Sequence, residues 1–195
     1  MKFEVVIAVV TIIVSSCQNN NDIKSNAVNY FKRASNIHSR NLDNEDSISY
    51  AILLLDTAIQ LDNVNSKFLF SRAQMAMEIK KYDLVINSSN KILIIEKNNF
   101  MALLLKGIAF ELSEETDSAS SNFKFALKSL QTTNFKSFIF KEYQRVILYG
   151  LLKDTINFKQ RLNYFKEEFN KKEEFSTYYD ELVHFNRNDY LNSYH

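Results

Sequence analysis

The stretch that decides the fold runs from Phe100 to Gln131 and reads FMALLLKGIAFELSEETDSASSNFKFALKSLQ. Within it, Ala119, Phe123 and Ala126 are spaced by four and then three residues, which places their side chains on one face of a helix. Gly107 stands upstream of Ala119, and small residues on both members of a helix pair let the two backbones approach closely. The stretch therefore predicts two antiparallel helices joined by a short turn.

The same pattern recurs along the chain with a period of 34 residues. Small residues recur as well, since Ala73 stands as far before Val85 as Gly107 stands before Ala119. Three columns share the period: Ala51, Val85 and Ala119; Leu55, Ser89 and Phe123; and Ala58, Ile92 and Ala126. A fixed period of this length is typical of repeat proteins, in which each hairpin buries its apolar face against the next.

On these columns the chain resembles a tetratricopeptide repeat (TPR) protein. The unit Phe100–Gln131 matches the family best, and Ser66–Asn99 matches it more loosely. The first unit fits only with an insertion, for which Asn41 to Asp46 is the expected extended turn. The resemblance implies an all-α, TPR-like superhelix of helical hairpins, about three to four of them, over residues 27–170.

The last hairpin is expected to be degenerate. Helices are predicted over Phe135–Leu152 and Ile156–Phe169, with Asp154 as the N-cap between them. Residues 171–195 are expected to form a C-terminal capping helix and tail, because a terminal repeat needs a partly polar outer face. The alternative interpretation is a generic helical bundle whose spacing is accidental.

The composition agrees with helices and excludes several classes of function. The 195 residues include no proline and only two glycines, which argues against a turn-rich all-β fold. The 24 basic and 23 acidic residues leave a formal charge of +1, so the chain has no global field for nucleic acid. The single cysteine excludes an internal disulfide and a Cys-rich zinc site.

The N-terminal segment has the pattern of a secretory signal. The apolar run from Val5 to Val14 is too short to span a membrane and is followed by the small residues Ser15 and Ser16. Residues 1–16 are therefore predicted to be a signal peptide.

Residues 14–17, Val-Ser-Ser-Cys, resemble a bacterial lipobox, which implies acylation and N-terminal exposure of Cys17. Residues 17–26 would then be the lipidated N-terminus and a polar tether. Because Gln18 is not the aspartate that retains some lipoproteins at the inner membrane, an outer-membrane location facing the periplasm or the cell surface is expected. The alternative is that Cys17 simply ends an ordinary signal.

The first helices of TPR hairpins face a concave groove, so the resemblance places a binding surface on their outward positions. An apolar and aromatic lining favours an apolar peptide or helix as the ligand. The expected groove residues are Phe31, Phe70, Gln74, Met101, Leu104, Ile108, Phe135 and Phe138. The alternative is self-burial, in which the C-terminal aromatic residues fold back over these positions; those residues are Phe175, Tyr178, Tyr179 and Phe185.

No motif in the sequence indicates catalysis, a cofactor or a bound metal. The three histidines, His38, His184 and His195, stand alone, whereas a helical metal site needs ligands one turn apart. The acidic runs at residues 43–46 and 114–117 are interpreted as helix caps in turns rather than as acid/base pairs. Several Asp-Ser/Thr pairs also resemble an O-glycosylation sequon, an alternative to capping that the sequence leaves open.

The sequence therefore predicts a protein that is not an enzyme. We expect a membrane-anchored TPR lipoprotein that acts as a protein-protein interaction scaffold for envelope proteins. Two alternatives remain, an immunity-type lipoprotein that neutralises one toxin and an accessory lipoprotein for glycan or nutrient uptake.

Overall fold

The computed structural model describes residues 2–41, 44–172 and 175–194, and for residues 2–20 it describes the backbone alone. In this part of the chain there are ten α-helices and no strands. They are α1 (Lys2–Arg40), α2 (Glu45–Leu61), α3 (Ser66–Glu78), α4 (Tyr82–Ile95), α5 (Phe100–Leu112), α6 (Thr116–Ser129), α7 (Phe138–Leu151), α8 (Thr155–Phe169), α9 (Phe175–Val183) and α10 (Arg187–Asn192). The predicted all-α class with helical hairpins is confirmed.

The first of two compact units ends at Met75, inside α3. Helices α1 and α2 pack along each other, and the Phe68 ring of α3 stacks on Phe31 of α1 with centroids 5.1 Å apart. Arg72 Nε lies 2.6 Å from Asp56 Oδ1, which ties α3 to α2. The predicted signal peptide and tether both fall within the first part of α1, and their roles stay predictions.

The 34-residue period reappears in the helix boundaries. Helices α3 and α5 have 13 residues each and begin 34 residues apart, and α4 and α6 have 14 residues each with the same offset. All nine residues of the predicted columns are at most 1% exposed: Ala51, Leu55, Ala58, Val85, Ser89, Ile92, Ala119, Phe123 and Ala126. The columns therefore form the buried faces of α2, α4 and α6, as predicted.

The second unit, from Ala76 onward, is built around the close approach of α5 to α6. A Cβ atom added to Gly107 would lie 2.5 Å from Cε1 of Phe123, closer than carbon atoms can pack. Only a residue without a side chain allows this approach at helix-packing distance. Helix α5 also packs on α4, so it is flanked on two sides.

Three turns of the second unit share one geometry. Each contains a non-glycine residue in the left-handed region, and the next amide donates a hydrogen bond back to a carbonyl five residues earlier, as in a Schellman motif. The left-handed residues are Lys80, Glu114 and Lys153, with φ values of 56°, 65° and 57°. The degenerate last hairpin thus keeps the turn of the regular ones although its sequence columns differ.

Helix caps decide where α7 and α8 begin. Ser137 Oγ accepts a hydrogen bond from the Phe140 amide, so α7 begins at Phe138 and Phe135 lies in the preceding turn. The prediction that Phe135 opens this helix is therefore wrong. Asp154 caps α8 as predicted, because its Oδ1 accepts from the Asn157 amide; bonds from the Asn157 side chain and amide lower the Asp154 pKa.

The acidic runs cap helices less than expected. Asn44, in the first run, accepts from the Ser47 amide at 2.8 Å and caps α2. Glu115, at the start of α6, makes no side-chain cap bond, so the capping role predicted for it is wrong. Asp117 lies in the first turn of α6, where a negative charge opposes the helix dipole.

We predict that Gly107→Ala lowers the free energy of unfolding by about 1–3 kcal/mol, because the new methyl group overlaps the Phe123 ring. This loss outweighs the ~1 kcal/mol that alanine gains over glycine in a helix. Urea unfolding followed by circular dichroism measures the change. Phe123→Leu in the Gly107→Ala background should recover part of it, whereas the exposed control Ser121→Ala should not differ from the parent. A Gly107→Ala protein as stable as the parent would contradict the packing described.

Candidate functional site

An open pocket lies where α5 begins and the turn between α6 and α7 passes over it. We call it the Phe135 pocket; it has a volume of about 510 Å³, and its apolar wall is formed by Phe100, Met101 and Phe135. Thr132 and Thr133 line the side formed by the turn. The pocket therefore combines an apolar wall with a polar rim, the usual composition of a recognition site.

Local hydrogen bonds hold both sides of the Phe135 pocket. Asn99 caps α5 by accepting from the Ala102 amide at 3.0 Å, and its Nδ2 donates to Glu96 Oε2 at 2.6 Å. On the facing side, the Thr133 hydroxyl donates to the Ser129 carbonyl at 2.8 Å. These hydrogen bonds hold the two segments that line the pocket in place.

The three rings at this point pack on one another. The Phe135 centroid lies 5.5 Å from that of Phe100 in an edge arrangement and 5.9 Å from that of Phe140. Phe100 is 2% exposed, so it forms the floor, while Met101 is 43% exposed. Met101 is thus the apolar side chain of the pocket that solvent reaches most easily.

Two of the predicted groove residues are core residues instead. Leu104 and Ile108 are 1% and 0% exposed, so the expectation that they face outward is wrong. The reason is that α5 is apolar on nearly all sides and packs against both α4 and α6. A helix that is apolar on most sides is buried on most sides, so Leu104 and Ile108 face neighbouring helices rather than a ligand.

The remaining groove residues of the second unit are Met101 and Phe135, which line the Phe135 pocket, and Phe138. Phe138 is 56% exposed, and its ring lies 5.7 Å from the Phe169 ring. The structure thus leaves an accessible apolar surface at the beginning of α5 and α7, and closes the middle of α5.

In the first unit, the three predicted groove residues differ in exposure. Phe31 and Phe70 are half-buried and Gln74 is exposed. The Phe31 ring is covered on one side by Phe68 and has the Lys67 ammonium 4.9 Å from its centroid. A continuous groove that joins these residues to those of the second unit stays a prediction.

Helix α9 packs on α7 and α8, and the C-terminal rings contact residues other than the expected groove residues, so burial of the groove by this segment stays an alternative prediction. Tyr178 lies 4.9 Å from Tyr143, ring to ring, and Phe185 lies 5.7 Å from Phe158. A Cβ on Gly150 would overlap the Phe185 ring, so this glycine allows Phe185 to pack closely on α7. None of the described residues 175–194 lines the Phe135 pocket.

The tyrosine hydroxyls of this cluster are bonded internally. Tyr143 Oη donates to Glu181 Oε2 at 2.6 Å, and burial followed by this bond raises the pKa of Tyr143. Burial also raises the pKa of Tyr190, whose hydroxyl lies 3.1 Å from that of Tyr194. Both tyrosines stay neutral at physiological pH, and the cluster serves to close the core of this unit.

The described ranges contain no cluster of metal-ligating side chains. No three His, Cys, Asp or Glu residues there lie close enough to hold a metal ion. His184 Nδ1 is bonded to the Asp180 carbonyl at 2.9 Å, and His195 lies outside the described residues. The side chain of Cys17 also lies outside them, so its acylation stays a prediction. Among the residues that the structure describes, no helix is both long enough and apolar enough to cross a membrane.

Neither a protein-family model nor a curated protein sequence matches this chain.

An ion pair attaches the C-terminal segment to α5. No motif in the sequence predicts this pair. Arg187 Nη2 lies 2.5 Å from Glu111 Oε1 at the end of α5, and Arg187 Nε donates to the Leu151 carbonyl at 3.0 Å. The two side chains are 18% and 11% exposed. Arg187 thus joins α10 to both α5 and α7.

We predict that Arg187→Met lowers the free energy of unfolding by about 3 kcal/mol, because it leaves the Glu111 carboxylate buried without its partner. The double variant Arg187→Met with Glu111→Met should lose less, since no charge is then left unpaired. Urea unfolding of both variants measures the difference. A double variant that is less stable than Arg187→Met would contradict the account of this ion pair.

Proposed function

We propose that this protein is a membrane-anchored, TPR-type lipoprotein of the bacterial envelope that binds another protein through the Phe135 pocket. The observation that carries the proposal is the pocket itself, in which exposed Met101 and half-buried Phe135 stand over buried Phe100. Exposed apolar side chains beside a concavity are typical of protein-protein contact sites, where an aromatic or aliphatic anchor fills the pocket.

The pocket favours an apolar peptide or helix as its ligand. Its wall offers apolar surface for one or two side chains, and Asn98 and Thr132 on the rim offer polar groups for the backbone or polar flanks of the ligand. Lys97 and Glu96, which also line it, carry opposite charges, so the rim has no net preference for a charged partner. The contact is therefore expected to depend on shape and apolar area.

The repeated hairpins support the TPR part of the proposal. The matched lengths of α3 and α5 and of α4 and α6, and the common turn at Lys80, Glu114 and Lys153, are what a tandem helical repeat requires. The lipobox-like sequence at residues 14–17 supports the lipid anchor. The anchor would confine the protein to a membrane surface that faces the periplasm or the cell exterior. Confinement raises the effective concentration for partners held at the same surface.

The alternatives differ in how well the geometry supports them. Glycan binding would use solvent-facing aromatic rings, and the exposed ones, such as Tyr50, Phe125 and Phe138, do not line the Phe135 pocket. An immunity-type lipoprotein would bind one toxin through this pocket, whereas a scaffold would bind several proteins.

We predict that Met101→Glu weakens partner binding by about tenfold or more without unfolding the protein. The fold tolerates the charge because Met101 is 43% exposed, whereas a bound partner would bury the charge, which costs free energy. The matched control is Ile156→Glu, which places the same charge at an 80% exposed apolar position on α8. Both variants and the parent are used to recover proteins from detergent-solubilised envelopes.

The expected result is that proteins recovered by the parent are retained by Ile156→Glu and reduced by about tenfold or more with Met101→Glu. An unchanged set of proteins with a folded Met101→Glu variant would overturn the pocket as the binding site. The mass of the N-terminal peptide in the same preparations tests the anchor, and an unmodified Cys17 would refute it.

A further inference from the structure

A second cleft of the second unit has a different character from the Phe135 pocket. We call it the Lys106 cleft; it lies among α4, α5 and α6 and has a volume of about 630 Å³. Three lysines line it, Lys97, Lys106 and Lys128, together with amide and hydroxyl groups such as those of Asn98 and Ser121. None of the described residues that line it is an aspartate or a glutamate.

Lys106 is the most informative member of this set. It lies in the middle of α5, between buried Leu105 and Gly107, and its own side chain is half-buried. Its ammonium lies 5.7 Å from the Phe110 ring centroid, and among the described residues it has no ion-pair partner. Burial lowers the Lys106 pKa, as expected for a cation that loses water without gaining an anion.

The positive charge continues on the other side of α6. A neighbouring cleft of about 420 Å³ is lined by Lys124, Arg145 and Arg161, and it shares Lys128 with the Lys106 cleft. Arg145 is paired with buried Glu142, so its charge is already balanced. The chain as a whole has a net charge of only +1, so this concentration of cations is local.

The donors of the Lys106 cleft favour a phosphate group over a carboxylate. Three lysines line this cleft without an aspartate or glutamate, so the site matches a group that carries more than one negative charge. A phosphate group carries a charge of about −1.5 to −2 at pH 7, whereas a carboxylate carries one, and lysines bind phosphate as point charges. Leu103 and exposed Phe125 add apolar surface next to the lysines, which suits an organic group attached to the phosphate.

We propose that the Lys106 cleft binds a phosphate group, held by Lys97, Lys106 and Lys128. The phosphate belongs either to a lipid headgroup or to a soluble molecule, and the two sources share the chemistry that the lysines recognise. This inference does not depend on a protein partner, although Lys97, Asn98 and Thr132 line both the Lys106 cleft and the Phe135 pocket.

Equilibrium dialysis of the full chain against radiolabelled inorganic phosphate, at an ionic strength of about 0.15 M, tests the site directly. The expected result is saturable binding that Lys106→Gln weakens by about tenfold or more, since a charge-assisted bond is lost. The double variant Lys97→Gln with Lys128→Gln changes only exposed side chains, so it should weaken binding without affecting the fold. The matched control is Lys159→Gln, which removes the same charge from an exposed position on α8 and should change binding by less than about twofold.

Vesicles distinguish the two sources. The full chain is mixed with phosphatidylcholine vesicles with or without phosphatidic acid; any lipid anchor inserts into both, so the difference between them reports the cleft. Extra binding to phosphatidic acid that Lys106→Gln removes would identify a headgroup, and binding of inorganic phosphate alone that the variant removes would identify a soluble ligand. Absence of both, or equal weakening by Lys159→Gln, would overturn the proposal.

Discussion

The close contact between Gly107 and the Phe123 ring is the constraint on which the second unit depends. Because α5 carries no side chain at this point, α6 can approach it closely enough to bury Phe123 almost completely. The same register then sets Ala119 and Ala126 in the core, each at 0% exposure. Both clefts are lined by residues of α5 or α6 together with residues of the adjacent segments.

This packing decides which surfaces are left for ligands. Since α5 is covered by α4 and α6, most of its middle contributes to the core. Its beginning, at Phe100 and Met101, borders the Phe135 pocket, and Leu103 and Lys106 border the Lys106 cleft. At its other end, Glu111 is held by Arg187, which brings the C-terminal segment onto α7 and α8. In the second unit, the accessible apolar surface therefore lies at the beginning of α5 and α7 and not along the length of α5.

Sequence spacing predicted the features that local rules control. The columns through Ala119, Phe123 and Ala126 were predictable because small residues at fixed helical spacing mark a buried face. Leu104 was not, because leucine suits a core and an apolar ligand equally, and only the helices packed around it distinguish them.

The charged clefts and pairs were beyond the same reasoning. Lys106 stands among apolar residues, which the sequence does show, but only the packing of α4, α5 and α6 brings Lys97 and Lys128 to the lining of the same cleft. Glu111 and Arg187 are likewise remote in sequence, and no spacing rule joins them. The sequence pattern predicts that α7 begins at Phe135, whereas the Ser137 cap starts this helix at Phe138.

Photo-crosslinking in intact envelopes tests most directly whether the Phe135 pocket binds another protein. A photoreactive amino acid in place of Met101 is compared with the same amino acid in place of Ile156, which is more exposed but lies away from the Phe135 pocket. The account predicts a discrete crosslinked protein from position 101 and none of it from position 156. The same crosslinks from both positions, or crosslinks from position 156 alone, would contradict it.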